Sequence, residues 1–275
     1  MPELPEVEVV RRGLESHLGG RRILDVRVKH PRPIRSFAPG AAAFSEMLRG
    51  RRVDALRRRG KYLWWVLDSD ALVAHLGMSG QFRFHDPREP EHRHTRVVFE
   101  LDDGREARFL DQRMFGGFEF VPGGAELPVA HIAPDPFDED FDEREVAARL
   151  LSRHTAVKRA LLDQRLVSGI GNIYADEALW RARVYYGQPG TGLGVRKALT
   201  LLRSAREVMS EALEAGGTSF DSLYVNVNGE SGYFARDLSA YGREGLPCYR
   251  CGAAIRREPF MNRSSFYCPR CQRRR

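Results

Sequence analysis

The chain has 275 residues, more than one core usually needs, so at least two domains are expected. Hydrophobic residues make up 42% and charged residues 29%, which excludes a disordered chain. The net charge of +7 and a pI near 9.5 point to a polyanionic partner.

The longest apolar run is Tyr62–Leu67, far short of the roughly 20 residues of a bilayer span. The acidic start, Met1-Pro2-Glu3-Leu4-Pro5-Glu6, is unlike a signal peptide, so a cytoplasmic protein without a membrane segment is expected. Nine arginines between Arg243 and Arg275 face only Glu244 and Glu258, an excess equal to the whole net charge. A second basic run, Arg49 to Lys61, holds Asp54 as its one acid. Either run alone suits a solvated face. Two of them in an otherwise balanced chain make nucleic acid the expected partner.

Along the chain, Pro5 and Glu6 suit a helix start, and Val7, Val10, Leu14 and Leu18 follow at helical spacing until Gly19-Gly20. The period then changes to two at Leu24, Val26 and Val28. Further strands are expected at 62–67, 71–75, 81–84, 95–101, 106–110 and 117–121, with a turn at Asp103-Gly104. This pattern predicts a β-sandwich with a flanking helix over residues 2–133. His131 to Glu145 carries seven acids and two prolines and reads as a linker into a helix. Helices are expected at 143–153, 156–164, 173–183 and 195–215, placing a helical domain at 134–238. The turn Ser168-Gly169-Ile170-Gly171-Asn172 suits either a helix corner or a phosphate-binding helix start. Residues 216–238, rich in Gly, Ser and Asn, read as a long loop.

All four cysteines lie near the end, as Cys248-x2-Cys251 and Cys268-x2-Cys271. Two such knuckles supply the four thiolates of one structural zinc ion; two disulfides would be out of place in a reducing cytosol. Residues 254–257 and 265–267 read as a hairpin with Asn262-Arg263-Ser264 at its turn, giving a zinc ribbon at 239–275. The fold class is therefore α+β and multidomain.

Several motifs are similar to those of the bacterial formamidopyrimidine-DNA glycosylases. Besides Pro2-Glu3-Leu4-Pro5-Glu6 and the four-cysteine ribbon, they are Gly60-Lys61-Tyr62-Leu63, His75-Leu76-Gly77-Met78-Ser79-Gly80, Asp111-Gln112-Arg113-Met114-Phe115-Gly116, Gly171-Asn172-Ile173-Tyr174-Ala175, Gly232-Tyr233-Phe234-Ala235 and Tyr241-Gly242-Arg243. The resemblance runs the length of the chain, in order. It implies a helix–two-turns–helix motif in the helical domain. It also implies a bifunctional glycosylase and apurinic/apyrimidinic lyase that removes oxidised purines, such as 8-oxoguanine and formamidopyrimidines, from duplex DNA by β,δ-elimination. A monomer is expected.

By the same resemblance, Pro2 is the nucleophile once Met1 is removed, since an α-amino group titrates near pH 7.7–8.0. Glu3 is the general acid, Glu6 a supporting carboxylate, Lys61 the proton donor in β-elimination and Arg263 the residue linked to δ-elimination. Residue chemistry alone would make both acids helix-start charges, and Lys61 and Arg263 phosphate contacts. With four lysines against 40 arginines, Lys61 suits a role that needs a releasable proton. Met78, Arg113 and Phe115 match the residues that fill the gap left by an extruded base, although composition alone would make Met78 and Phe115 core. Gln112 and Met114 depart from the family's usual Pro and Arg. His92, Arg153 and Asn172 match phosphate contacts, and residues 225–235 match the loop that closes over the extruded purine. Two alternatives remain: an endonuclease VIII-type enzyme for oxidised pyrimidines, disfavoured by Leu4 and the long 216–238 loop, and a non-catalytic zinc-ribbon DNA-binding protein.

Overall fold

A computed structural model describes residues 2–217 and 238–274. These form two compact units, one reaching residue 130 and including Gly216 and Gly217, the other containing residues 131–215 and the stretch from 238 onwards.

The first unit opens with helix α1 (Leu4–Leu18). Glu3 and Glu6 close a capping box at its start, and Val7, Val10, Leu14 and Leu18 form its buried stripe. Eight strands follow: β1 (Ile23–Val28), β2 (Ala55–Arg59), β3 (Tyr62–Leu67), β4 (Asp70–His75), β5 (Gly80–His85), β6 (Thr95–Leu101), β7 (Glu106–Asp111) and β8 (Gly117–Val121). They pair antiparallel in two sheets, ordered β1-β6-β7-β5 and β2-β3-β4-β8. The sheets form the expected sandwich around Trp65, Phe82, Phe99, Phe109 and Phe118; the Trp65 and Phe99 rings, one from each sheet, lie 4.7 Å apart. Burial of each such side chain contributes roughly 1.5–3 kcal/mol.

Two elements depart from the sequence reading. Helix α2 (Gly40–Leu48) comes from an alanine-rich stretch in which only Phe44 and Leu48 are buried. Strand β2 occupies the basic run, and that run is largely neutralised within the unit. Arg49 pairs with Asp25 and Glu46, Arg51 with Asp70, Arg52 with Asp54, Arg57 with Glu126, and Arg58 with Glu8. Acids distant in sequence thus face most of these arginines, so the run supports a polyanion-binding surface less than its composition suggests.

In the second unit, Asp142 caps helix α3 (Glu143–Leu151) by accepting the amides of Arg144 and Glu145. Short α4 (Val157–Leu161), α5 (Asn172–Arg181) and the long α6 (Val195–Glu214) follow. The acidic stretch before α3 is an ordered turn, with Asp135 fully buried and bonded to the Phe137 amide. Strands β9 (Arg256–Phe260) and β10 (Arg263–Tyr267) make the ribbon hairpin. Its turn is Met261-Asn262, with Met261 at φ 53°, one to two residues ahead of the predicted position. Arg263 is therefore the first residue of β10, opposite Phe260, rather than the middle of the turn.

Candidate active site and metal centre

Pro2 and Glu3 are buried at the mouth of α1, Glu3 being 2% exposed and Glu6 5%. The Glu3 N–H donates to Glu6 Oε2 at 2.8 Å, which holds the chain immediately after Pro2 in one orientation. Helix α1 lies against β2 and β3 and is pinned there by three contacts. Arg58 pairs with Glu8 at 3.0 Å, Arg11 donates to the Leu56 carbonyl, and the Leu56 N–H donates to Glu15. Those two strands are joined by Gly60-Lys61. Gly60 takes φ 55°, as the first central residue of a tight hairpin turn requires, and Lys61 is 7% exposed.

Beside Lys61 stands a residue to which the sequence reading gave no role. His75 is the cross-strand partner of Tyr62, with their rings 4.8 Å apart. Burial, followed by the positive charges of Lys61 and Arg35, holds its pKa below the ordinary value. The imidazole is therefore neutral near pH 7. A cleft of 220 Å³ opens here, lined by Arg35, Tyr62, His75 and Glu119 among others.

The loops carrying Met78 and Arg113–Phe115 are built together. Gly77 has φ 60°, and a Cβ there would lie 2.4 Å from the Gly116 nitrogen, so only glycine allows the two backbones this close. Asp111 ties the pair: its carboxylate accepts Ser79 Oγ at 2.5 Å and the Gly116 N–H at 2.8 Å, while Ser79 Oγ accepts the Arg113 N–H. Met78 is 39% exposed and Phe115 47%, so neither is a core residue. The Arg113 guanidinium lies 5.4 Å from the centre of the Phe115 ring. His92 sits on an exposed loop whose Asp86, Glu89 and Pro90 carbonyls are all held by buried Arg108.

In the second unit, Arg153 and Arg263 line one cleft of 520 Å³ with Thr155, Arg159, Asp163 and Asn262. Asn172 begins α5, and its Nδ2 donates to the Ser264 carbonyl at 3.1 Å. Further along α5, buried Asp176 pairs with Lys158 at 2.7 Å and accepts the Phe266 N–H. Glu177 accepts the amides of Ser239, Ala240 and Tyr241. One helix therefore holds the ribbon strand and the chain end that leads into it. The sequence showed these residues only as polar positions in a helical pattern. The expected purine-covering loop, 225–235, lies outside the described residues.

The four cysteine sulfurs lie within 4.8 Å of one another and none is in a disulfide. Tetrahedral zinc with bonds of about 2.3 Å needs sulfurs roughly 3.8 Å apart, which this cluster fits. N–H groups also point at the sulfurs, from the Trp180 indole to Cys248 and from the Cys271 backbone to Cys268, each at 3.4 Å, as suits charged thiolates. One structural zinc ion belongs here, held by Cys248, Cys251, Cys268 and Cys271.

A sandwich with a buried N-terminal carboxylate pair, a helical unit and a four-thiolate ribbon define a DNA glycosylase of the base-excision type. Family models match in the same order: the formamidopyrimidine-DNA glycosylase N-terminal domain at residues 1–118, the H2TH domain of that enzyme at 132–223, and the zinc finger found in FPG and IleRS at 245–274. A formamidopyrimidine-DNA glycosylase of Nocardioides is 60% identical, over 99% of this chain and 94% of its own length. That of Salinispora arenicola is 59% identical, over 100% and 97%. A solved point mutant of the Lactococcus lactis enzyme, bound to DNA containing Fapy-dG, superposes with a TM-score of 0.92 at 32% identity over 99% of this chain and 100% of its own. A second Lactococcus lactis structure, in complex with abasic-site DNA, gives 0.91 at 33% over the same shares. The chain belongs to the formamidopyrimidine-DNA glycosylase family.

Proposed function

We propose that the chain removes oxidised purines from duplex DNA and then cleaves the strand, with Pro2 as nucleophile. The observation that carries this reading is the bond from the Glu3 amide to the Glu6 carboxylate, which fixes the N-terminus beside a buried acid. Once Met1 is removed, the Pro2 amine attacks C1′ of the damaged nucleotide and the base departs. Glu3 protonates the ring oxygen as the C1′–O4′ bond breaks, the sugar opens, and the secondary amine of Pro2 is left joined to C1′ as an iminium ion, which borohydride can reduce. Lys61, on a hairpin tied to α1, donates a proton in the following β-elimination, and Arg263 assists loss of the second phosphate.

Met78 and Phe115 fill the space left by the extruded nucleotide and Arg113 bonds the orphaned base. His92, Arg153 and Asn172 grip phosphates. The one structural zinc ion holds the ribbon. The protein acts as a monomer in the cytoplasm, among nucleoid DNA; no helix of the described residues is long and apolar enough to cross a membrane.

Borohydride reduction tests the reading. The protein should form a covalent adduct with a duplex containing 8-oxoguanine, and the adduct should map to the N-terminal peptide. Protein retaining Met1 should form none, because its Pro2 nitrogen is an amide. Trapping only on oxidised pyrimidines would replace the substrate class. No adduct on any lesion with a processed N-terminus would overturn the enzyme mechanism.

A further inference from the structure

Trp180 is 8% exposed near the C-terminal end of α5, and it packs with Cys248, Ile255, Phe266 and Cys268 in the small core of the ribbon. An indole N–H is a donor only, and once buried it needs an acceptor. Here the acceptor is the Sγ of Cys248, at 3.4 Å. Among the described residues, this is the only side-chain N–H donated to a cysteine sulfur.

The other face of the contact is equally constrained. Arg250, within the first knuckle, stacks its guanidinium 3.8 Å from the centre of the Trp180 ring. Its two terminal nitrogens donate to the Trp180 and Arg181 carbonyls at 2.6 and 3.0 Å, where a helix end carries negative partial charge. The knuckle and α5 therefore clasp each other: the helix gives an N–H to the thiolate, and the knuckle returns a cation to the helix end.

We propose that Trp180 is a positioning residue of the metal centre, its N–H fixing and partly neutralising the Cys248 thiolate so that zinc is retained. Hydrogen bonds to ligand atoms from outside the ligand set orient them and tune their donor strength, and their loss typically weakens metal binding about 10- to 100-fold. Cys248 and Cys268 are buried, whereas Cys251 and Cys271 are partly exposed. With Cys248 held, detachment of the metal starts at the exposed pair.

The test replaces the N–H in two ways in the full-length protein: Trp180→Phe, and β-(3-benzothienyl)alanine at position 180, which keeps the bicyclic shape and loses the donor. Zinc transfer to a chromogenic chelator should be at least about 10-fold faster in both. With cobalt(II) in place of zinc, the thiolate-to-metal charge-transfer band should move to lower energy in both, because a sulfur that has lost a hydrogen bond is a better electron donor. Wild-type release and an unmoved band in both variants would overturn the proposal. So would a change confined to Trp180→Phe, which would make the effect one of packing.

Discussion

Glu6 Oε2 accepts the backbone N–H of Glu3 at 2.8 Å, and both carboxylates are almost wholly buried. One carboxylate therefore starts the helix and orients the residue after the proposed nucleophile. Glu6→Ala removes both functions. It should cost about 1 kcal/mol of stability, as loss of a helix cap does, and should also slow imine trapping. Glu6→Gln keeps an acceptor oxygen and should recover most of both, read by thermal unfolding and by the trapping rate. Equal trapping in Glu6→Ala and wild type would remove Glu6 from the mechanism.

The exposure of Met78 and Phe115 separates function from packing. Met78→Ala and Phe115→Ala should each change folding stability by no more than about 0.5 kcal/mol, as surface substitutions do. Excision of 8-oxoguanine from a duplex should fall well below wild type, while cleavage at a pre-formed abasic site falls less, because extrusion is easier there. Parallel loss on both substrates would argue against the gap-filling role.

Arg153 shares its cleft with Arg263, and its side chain is partly exposed. If it contacts phosphate, Arg153→Ala should lower the slope of log affinity against log salt by about one and weaken all duplexes alike. An unchanged slope would take Arg153 off the DNA surface.

His75 gives a pH signature. Its native pKa lies below the ordinary 6.5, through burial first and then Lys61 and Arg35. Between the native and unfolded pKa the unfolded chain binds more protons, so this group's contribution favours folding above pH 6.5 and is lost as pH falls through that window. NMR titration should place the imidazole below 6.5 and show it moving up, though not fully, in Lys61→Met. An unmoved pKa in that variant would mean that Lys61 and His75 do not share a site.

The strands at 62–67, 95–101 and 117–121 were legible to the residue: the first is an unbroken apolar run, Val97, Phe99 and Leu101 and then Phe118 and Phe120 recur at period two in the others, and turn residues follow each. Helix α2 was not, since three successive alanines carry no period and only Phe44 and Leu48 face inward. Strand β2 hid among arginines whose partners lie up to 69 positions away, and no local pattern announces such pairing. The candidate site divides in the same manner. The cysteine knuckles and the N-terminal motif are contiguous in sequence and could be read. His75, Trp180 and Glu177 matter through neighbours brought to them by the fold. Helical spacing marks Trp180 and Glu177 as positions in α5, but not as a donor to sulfur or an acceptor for three amides.

The internal pairing of the 49–61 arginines also bears on how the protein meets DNA. With that run largely cancelled, the long-range field comes mainly from residues 243–275. A charge gathered at one end of a chain orients a diffusing molecule before contact, so first encounters favour the ribbon end. Ionic strength then governs how often productive encounters occur, while the chemistry proposed at the buried Pro2 and Glu3 is screened much less. Capture and chemistry thus respond to different solution conditions.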